Sequence, residues 1–223
     1  MQNLKIIATT PIKLGDPIQI NVPEVGGYRI YSWHGPNNFT SQYTENLVTS
    51  TAELKYEGWY YVTVTNNSCG VKADSVFIDV KLLQGTPPCT IATNTAAYSS
   101  LLSSDSYTSV KKIIDGSTSL LVLNAYLPDN MKVFFHPAWR TKEPEDGLYT
   151  TISTPIFDQF DNNYNKVYIT TTKSSIYWGS QPDQTVYISH VGGKLQVRFC
   201  NLPMSGSNGT SYTTNASGNL LEN

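Results

Sequence analysis

Apolar and polar positions alternate with a period of two along much of the chain, the pattern of strands that bury one face. Near the N-terminus, Ile18, Ile20 and Val22 alternate with polar neighbours, and Tyr31 and Trp33 share one face of the next run. A weaker strand is expected over Thr51 to Tyr56. The run Gly58-Trp59-Tyr60-Tyr61-Val62-Thr63-Val64 puts Tyr60, Val62 and Val64 on one face and Trp59 and Tyr61 on the other. Val76, Ile78 and Val80 close the series. Six or seven short strands in about 80 residues, separated by turn residues, imply a β-sandwich.

The pattern breaks at Lys81-Leu82-Leu83-Gln84-Gly85-Thr86-Pro87-Pro88-Cys89, where Gly and Pro-Pro cannot continue a ladder. This predicts a sandwich domain over 1–81, a Pro-rich linker over 82–88 and a second all-β domain over 89–223. In that second part, segments 119–126, 131–135, 147–152, 166–171, 184–189 and 194–200 alternate or run apolar, with a closing strand at Ala216 to Leu220. Val191-Gly192-Gly193-Lys194 reads as a hairpin connection. Val110, Ile113 and Ile114 stand at helical spacing, so a helix is expected over Tyr107 to Ile114, with a strand as the alternative. The expected fold class is all-β, an Ig-like sandwich followed by an antiparallel sandwich or barrel.

Composition narrows the function classes. Lys and Arg number 15 against 17 Asp and Glu, so no basic excess exists to neutralise phosphates, and nucleic-acid binding is not expected. No apolar run approaches the roughly 18–20 residues that span a bilayer. Polarity comes from Thr, Ser and Asn, with only 14% of residues charged, and this reads as extracellular or cell-surface. The start Met1-Gln2-Asn3-Leu4-Lys5 has no charged segment leading into an apolar one, so a mature or cut-out segment is expected, with a cytosolic protein as the alternative.

Trp33 and the run Gly58-x-Tyr60-x-Val62 resemble the core Trp and tyrosine corner of immunoglobulin-type domains. The longer pattern, Tyr31-Ser32-Trp33-His34-Gly35-Pro36-Asn37-Asn38-Phe39 and then Gly58 through Cys69, is similar to the PKD/Ig-like modules of secreted Bacteroidetes surface proteins, over about residues 10–80. It departs from them at Asn38, where the family has a second loop Gly, and in lacking an early Cys to partner Cys69. The resemblance implies a non-catalytic spacer or adhesive module. The second domain resembles small secreted all-β lipoprotein domains of unknown function, and no functional residue is carried over from them.

Three cysteines allow one intrachain disulfide, and Cys89 with Cys200 is the expected pair because both lie in the second domain; free buried cysteines are the alternative. Candidate chemistry is sparse, and no enzyme is expected. His190 and Cys200 are ten residues apart across a predicted hairpin, and Glu143, Glu145 and Asp146 cluster in one loop; both read more simply as structural or solvated groups. No cofactor is required. Calcium is the one candidate metal, with Asp158, Asp161, Asn163 and Asn165 supplying hard oxygens, although Lys166 and Thr172 stand where an EF-type loop needs Gly and Glu. Exposed aromatic rings remain. Trp59, Tyr61, Trp139, Tyr177 and Trp178, bordered by amides and hydroxyls, form a candidate ligand surface. The expected function is adhesion or ligand display towards a cell-surface glycan or protein. A carbohydrate-binding accessory module or a small-molecule-binding barrel are the alternatives, and the oligomeric state is open.

Overall fold

The computed structural model describes residues 4–23, 29–48, 51–66, 70–101, 103–126, 129–157 and 164–223. The protein is all-β and divides into two compact units, Met1–Leu83 and Gln84–Asn223. Among the described residues no helix is long and apolar enough to cross a membrane.

The first unit is an Ig-like sandwich. Its strands are β1 (Ile7–Ala8), β2 (Ile12–Lys13), β3 (Gln19–Asn21), β4 (Arg29–His34), β5 (Thr40–Gln42), β6 (Leu47–Val48), β7 (Gly58–Asn66), β8 (Gly70–Ile78) and β9 (Val80–Lys81). One sheet has the order β1-β3-β6 and the other β5-β4-β7-β8, while β2 pairs in parallel with β9. The alternating set meets in the middle: Ile18, Ile20, Trp33, Tyr60, Val62 and Ile78 are all fully buried. The strand expected over Thr51 to Tyr56 is instead a turn of 3₁₀ helix, Leu54–Tyr56, and β6 takes the place in the sheet. Ala52 and Leu54 are both buried, so burial at a spacing of two imitates a strand there.

That turn aims the Tyr56 carbonyl at the Tyr60 hydroxyl, which donates to it at 3.1 Å and completes a tyrosine corner. Trp33 donates through Nε1 to the Thr44 carbonyl at 2.8 Å. Between β4 and β5, Asn37 and Asn38 both adopt left-handed backbone, φ 54° and 57°, and the Phe39 amide bonds back to Pro36 at 3.0 Å. Asn tolerates this region better than other residues with a side chain, so Asn38 does the work of the glycine that the resemblance leads one to expect.

The second unit contains β10 (Thr95–Tyr98), β11 (Ser103–Ser106), β12 (Ser109–Ile114), β13 (Leu121–Tyr126), β14 (Met131–Phe135), β15 (Gly147–Thr151), β16 (Lys166–Lys173), β17 (Ile176–Ser180), β18 (Thr185–Val191), β19 (Lys194–Ser207) and β20 (Ser211–Leu221). They join in one sheet of order β11-β10-β20-β19-β18-β15-β16-β14-β13-β12, with β17 bridging β16 and β19. The helix expected over Tyr107 to Ile114 is strand β12; its ladder to β13 pairs Ser109 with Tyr126 and Ile114 with Leu121, which outweighs the 3–4 spacing of three side chains.

The sheet folds back on itself. Tyr98 on β10 reaches the Thr171 hydroxyl on β16 at 3.4 Å, and the Asn223 amide, just past β20, donates to the Val110 carbonyl of β12 at 3.0 Å. The rings of Phe135, Tyr149, Trp178 and Phe199 are buried. Beside the β15–β16 parallel pair, β17 enters the sheet, and hydroxyls satisfy the ladder where it forks. Ser180 Oγ donates to the Ile152 carbonyl and accepts from the Ile169 amide. Cys89 and Cys200 are bonded, with Cα atoms 5.8 Å apart across 111 residues of sequence.

Candidate ligand-contact surfaces

Period two decides which aromatics reach solvent. In the first unit Tyr60 points into the core, so its neighbours Trp59 and Tyr61 stand on the outer face, 52% and 51% exposed. The register places Phe77 of β8 opposite Trp59 and His34 of β4 opposite Tyr61. Phe77 meets Trp59 edge-on with centroids 5.6 Å apart, and the Tyr61 centroid lies 6.4 Å from that of Trp59. Three exposed rings thus sit together on one sheet face, an apolar patch edged by His34 and Ser75.

In the second unit, Tyr177 and Trp178 are consecutive on β17 and must face opposite ways. Tyr177 is 53% exposed, whereas Trp178 is buried, donating through Nε1 to the Lys173 carbonyl at 3.3 Å. Trp139 is buried as well. It lies in the 3₁₀ turn Pro137–Arg140, its Nε1 donates to the Tyr164 carbonyl at 2.6 Å, and its ring packs 6.3 Å from Tyr149. Trp139 and Trp178 are therefore removed from the candidate surface, because both rings are core.

Tyr177 stands between two concavities on the outer face of the sheet. One, of about 320 Å³, is walled by Tyr168, Gly179, Ser205 and Ser207. The other, of about 270 Å³, is walled by Asn130, Lys132, Phe134 and Thr170. The Tyr168 hydroxyl sits over Gly179, where a Cβ would stand only 2.3 Å from it. Burial, with a smaller contribution from Tyr177, pushes the Tyr168 phenol well above its ordinary value, so it stays a neutral hydrogen-bonding group. Lys132, the one cation among the described residues of these walls, is held by Asp115 at 3.3 Å. Thr170 is only 4% exposed, and its hydroxyl has no partner among the described residues. Tyr168, Gly179 and Thr170 were not legible as site residues. The run Val167 to Thr171 is buried on both faces and carries no alternation to say which face is which.

The other candidates resolve simply. Asp158, Asp161 and Asn163 lie outside the described residues. Asn165 uses its side-chain amide on the Leu148 carbonyl at 3.4 Å. Among the described residues no group of three His, Cys, Asp or Glu could hold a metal ion. Cys200 is spent in the disulfide, so it offers no thiol to His190, which instead contacts Asp146 at 2.6 Å. Glu143 ion-pairs with Lys112 at 2.5 Å.

No family model and no curated protein matches the chain. Among solved structures it is similar to the three N-terminal domains of the Highly Immunogenic Outer Capsid protein of bacteriophage RB49. That match has 10% identity and a TM-score of 0.31 and covers 99% of this chain and 69% of that one; a likeness this low carries no argument.

Proposed function

We propose that this chain is a non-catalytic adhesion or ligand-display fragment of a larger extracellular or cell-surface protein, touching its ligand through aromatic rings on sheet faces. The observation that carries this reading is the exposed trio Trp59, Tyr61 and Phe77. Large rings left in water lose the stabilisation that burial would give them, and such rings at the centre of an interface supply much of its energy. The resemblance of residues 10–80 to PKD/Ig-like modules supports the same reading. Binding to arrayed glycans and immobilised extracellular-matrix proteins tests it, with the double substitution Trp59→Ala and Tyr61→Ala as the matched control. Binding lost in the variant at an unchanged melting temperature is the expected result. Binding that survives the double substitution would refute it.

A second reading, carbohydrate binding, is favoured by the Tyr177 concavities. Their walls combine aromatic faces with hydroxyls and a buried Thr170 hydroxyl that has no partner among the described residues, the mixture that suits a neutral sugar. Tyr177→Ala should abolish retention on neutral oligosaccharides and leave the Trp59 surface untouched.

A further inference from the structure

One end of the second unit holds a lysine between two aspartates. Asp105 on β11 points inward beside Ala96 and is 1% exposed. Lys173, the last residue of β16, reaches it from the facing strands with its side chain 14% exposed. Its Nζ contacts Asp105 Oδ1 and lies 3.2 Å from Asp129 Oδ2. The Tyr98 ring centroid is 5.7 Å from Nζ, and the Tyr98 hydroxyl lies 3.4 Å from both the Tyr107 and the Thr171 hydroxyls.

An ion pair alone accounts poorly for this arrangement. Withdrawing an ammonium and a carboxylate from water is costly, and the cost is recovered only when the remaining lone pairs find donors. Asp105 Oδ2 is buried and has no partner among the described residues. A single amine is also served by two carboxylates, one more than charge balance requires. An amide between Lys173 and Asp105 would carry no charge and would remove both buried ions.

We propose that Lys173 and Asp105 condense into an intramolecular isopeptide bond that ties β11 to β16. One ammonium proton passes to Asp105, leaving a neutral amine beside a neutral acid. The Nζ lone pair attacks Cγ of Asp105 and forms the N–C bond. Asp129 takes a second proton from nitrogen and delivers it to the departing hydroxyl as the C–O bond breaks. Water leaves, and Asp129 ends as it began. The three protons of the ammonium are thus accounted for, one kept by the amide and two carried off in water, and no external reagent is consumed. Burial, the largest single influence on Lys173, favours the neutral amine that attacks, while the contacts with Asp105 and Asp129 favour the ammonium and leave its pKa raised, so the first proton transfer to Asp105 is the uphill step.

Intact mass of the full chain, reduced and denatured, tests the bond directly. The wild-type protein should be lighter than its sequence mass by one water, and Lys173→Arg should show its full sequence mass. Proteolysis of the wild type should give a branched peptide joining the segments around residues 105 and 173. Asp129→Asn should leave most of the chain uncondensed. A wild-type chain at full mass, or a water loss mapped to any other residue, would overturn the bond. Complete condensation in Asp129→Asn would overturn the role given to Asp129. The wild-type measurement stands even if a variant fails to fold.

Discussion

A Cβ built on Gly35 would stand 2.8 Å from two ring carbons of Tyr60 and 3.3 Å from Phe39. The Gly of the Trp33-x-Gly35 run is thus the seat of the corner tyrosine. Gly35→Ala should lower the stability of the first unit by about 1–3 kcal/mol, the usual scale for forcing a methyl into a packed core. Urea denaturation checks this, and an unchanged midpoint would mean that the Tyr60 ring can yield.

Tyr60→Phe keeps the ring and removes the hydroxyl that reaches Tyr56. It should cost about 0.5–1.5 kcal/mol, the net worth of a neutral hydrogen bond, and leave the Tyr56 carbonyl to find water. The same urea titration, run beside Gly35→Ala, should rank the two substitutions.

Burial raises the Tyr60 pKa to about 12, and burial also raises those of Tyr107, Tyr149 and Tyr168. The folded protein keeps these protons at pH values where the unfolded chain has released them. The stability they contribute is whole below pH 10, the ordinary tyrosine value, and falls as pH rises from there to about 12 and beyond. Melting temperatures measured from pH 8 to pH 12 should fall steeply only above about 10. A flat profile through pH 12 would contradict it.

Asp115 closes the turn from β12 to β13. Its Oδ1 accepts from the Ser117 hydroxyl at 2.5 Å, from the Ser117 and Thr118 amides at 3.1 and 3.0 Å, and from the Thr118 hydroxyl at 3.1 Å. These donors, Ser117 first, hold its pKa well below the usual carboxylate value. Its stabilisation is present above pH 3.8 and drains away as pH falls below that. Asp115→Asn should cost about 1.5–3 kcal/mol at neutral pH, the scale for hydrogen bonds to a charged group, and should shrink the acid-dependent part of the stability curve.

Reducing the Cys89–Cys200 bond opens a span of 111 residues and should destabilise the second unit by about 2–5 kcal/mol. Thiol titration of the unfolded, unreduced chain should find one reactive group from the three cysteines. Three would remove the bond.

Much of the first unit was readable because its signals are local. Alternation around Trp33 and Tyr60 sets the burial of each neighbour, and the turn residues between strands are short and polar. Thr51 to Tyr56 misled because two buried positions a residue apart fit a 3₁₀ turn as well as a strand. In the second unit the difficulty was directional. Tyr177 and Trp178 are both ring candidates on composition, yet consecutive strand residues face opposite sides, so at most one of them can serve. Trp139 had no periodic context at all, lying in a short turn whose burial depends on Tyr149 and Tyr164 from elsewhere in the chain. The Asp105–Lys173 contact joins residues 68 apart on facing strands, and nothing in the local sequence marks either one.

The disulfide also sets the route that tension would take. A pull applied between the Pro-Pro segment and the C-terminus would pass from Cys89 straight to Cys200 and out along β20. Once β20 had peeled away from β10 and β19, residues 90–199 would hang from that covalent shortcut as an unloaded loop. Most of the second unit's strands would be spared until the sulfur–sulfur bond itself gave way.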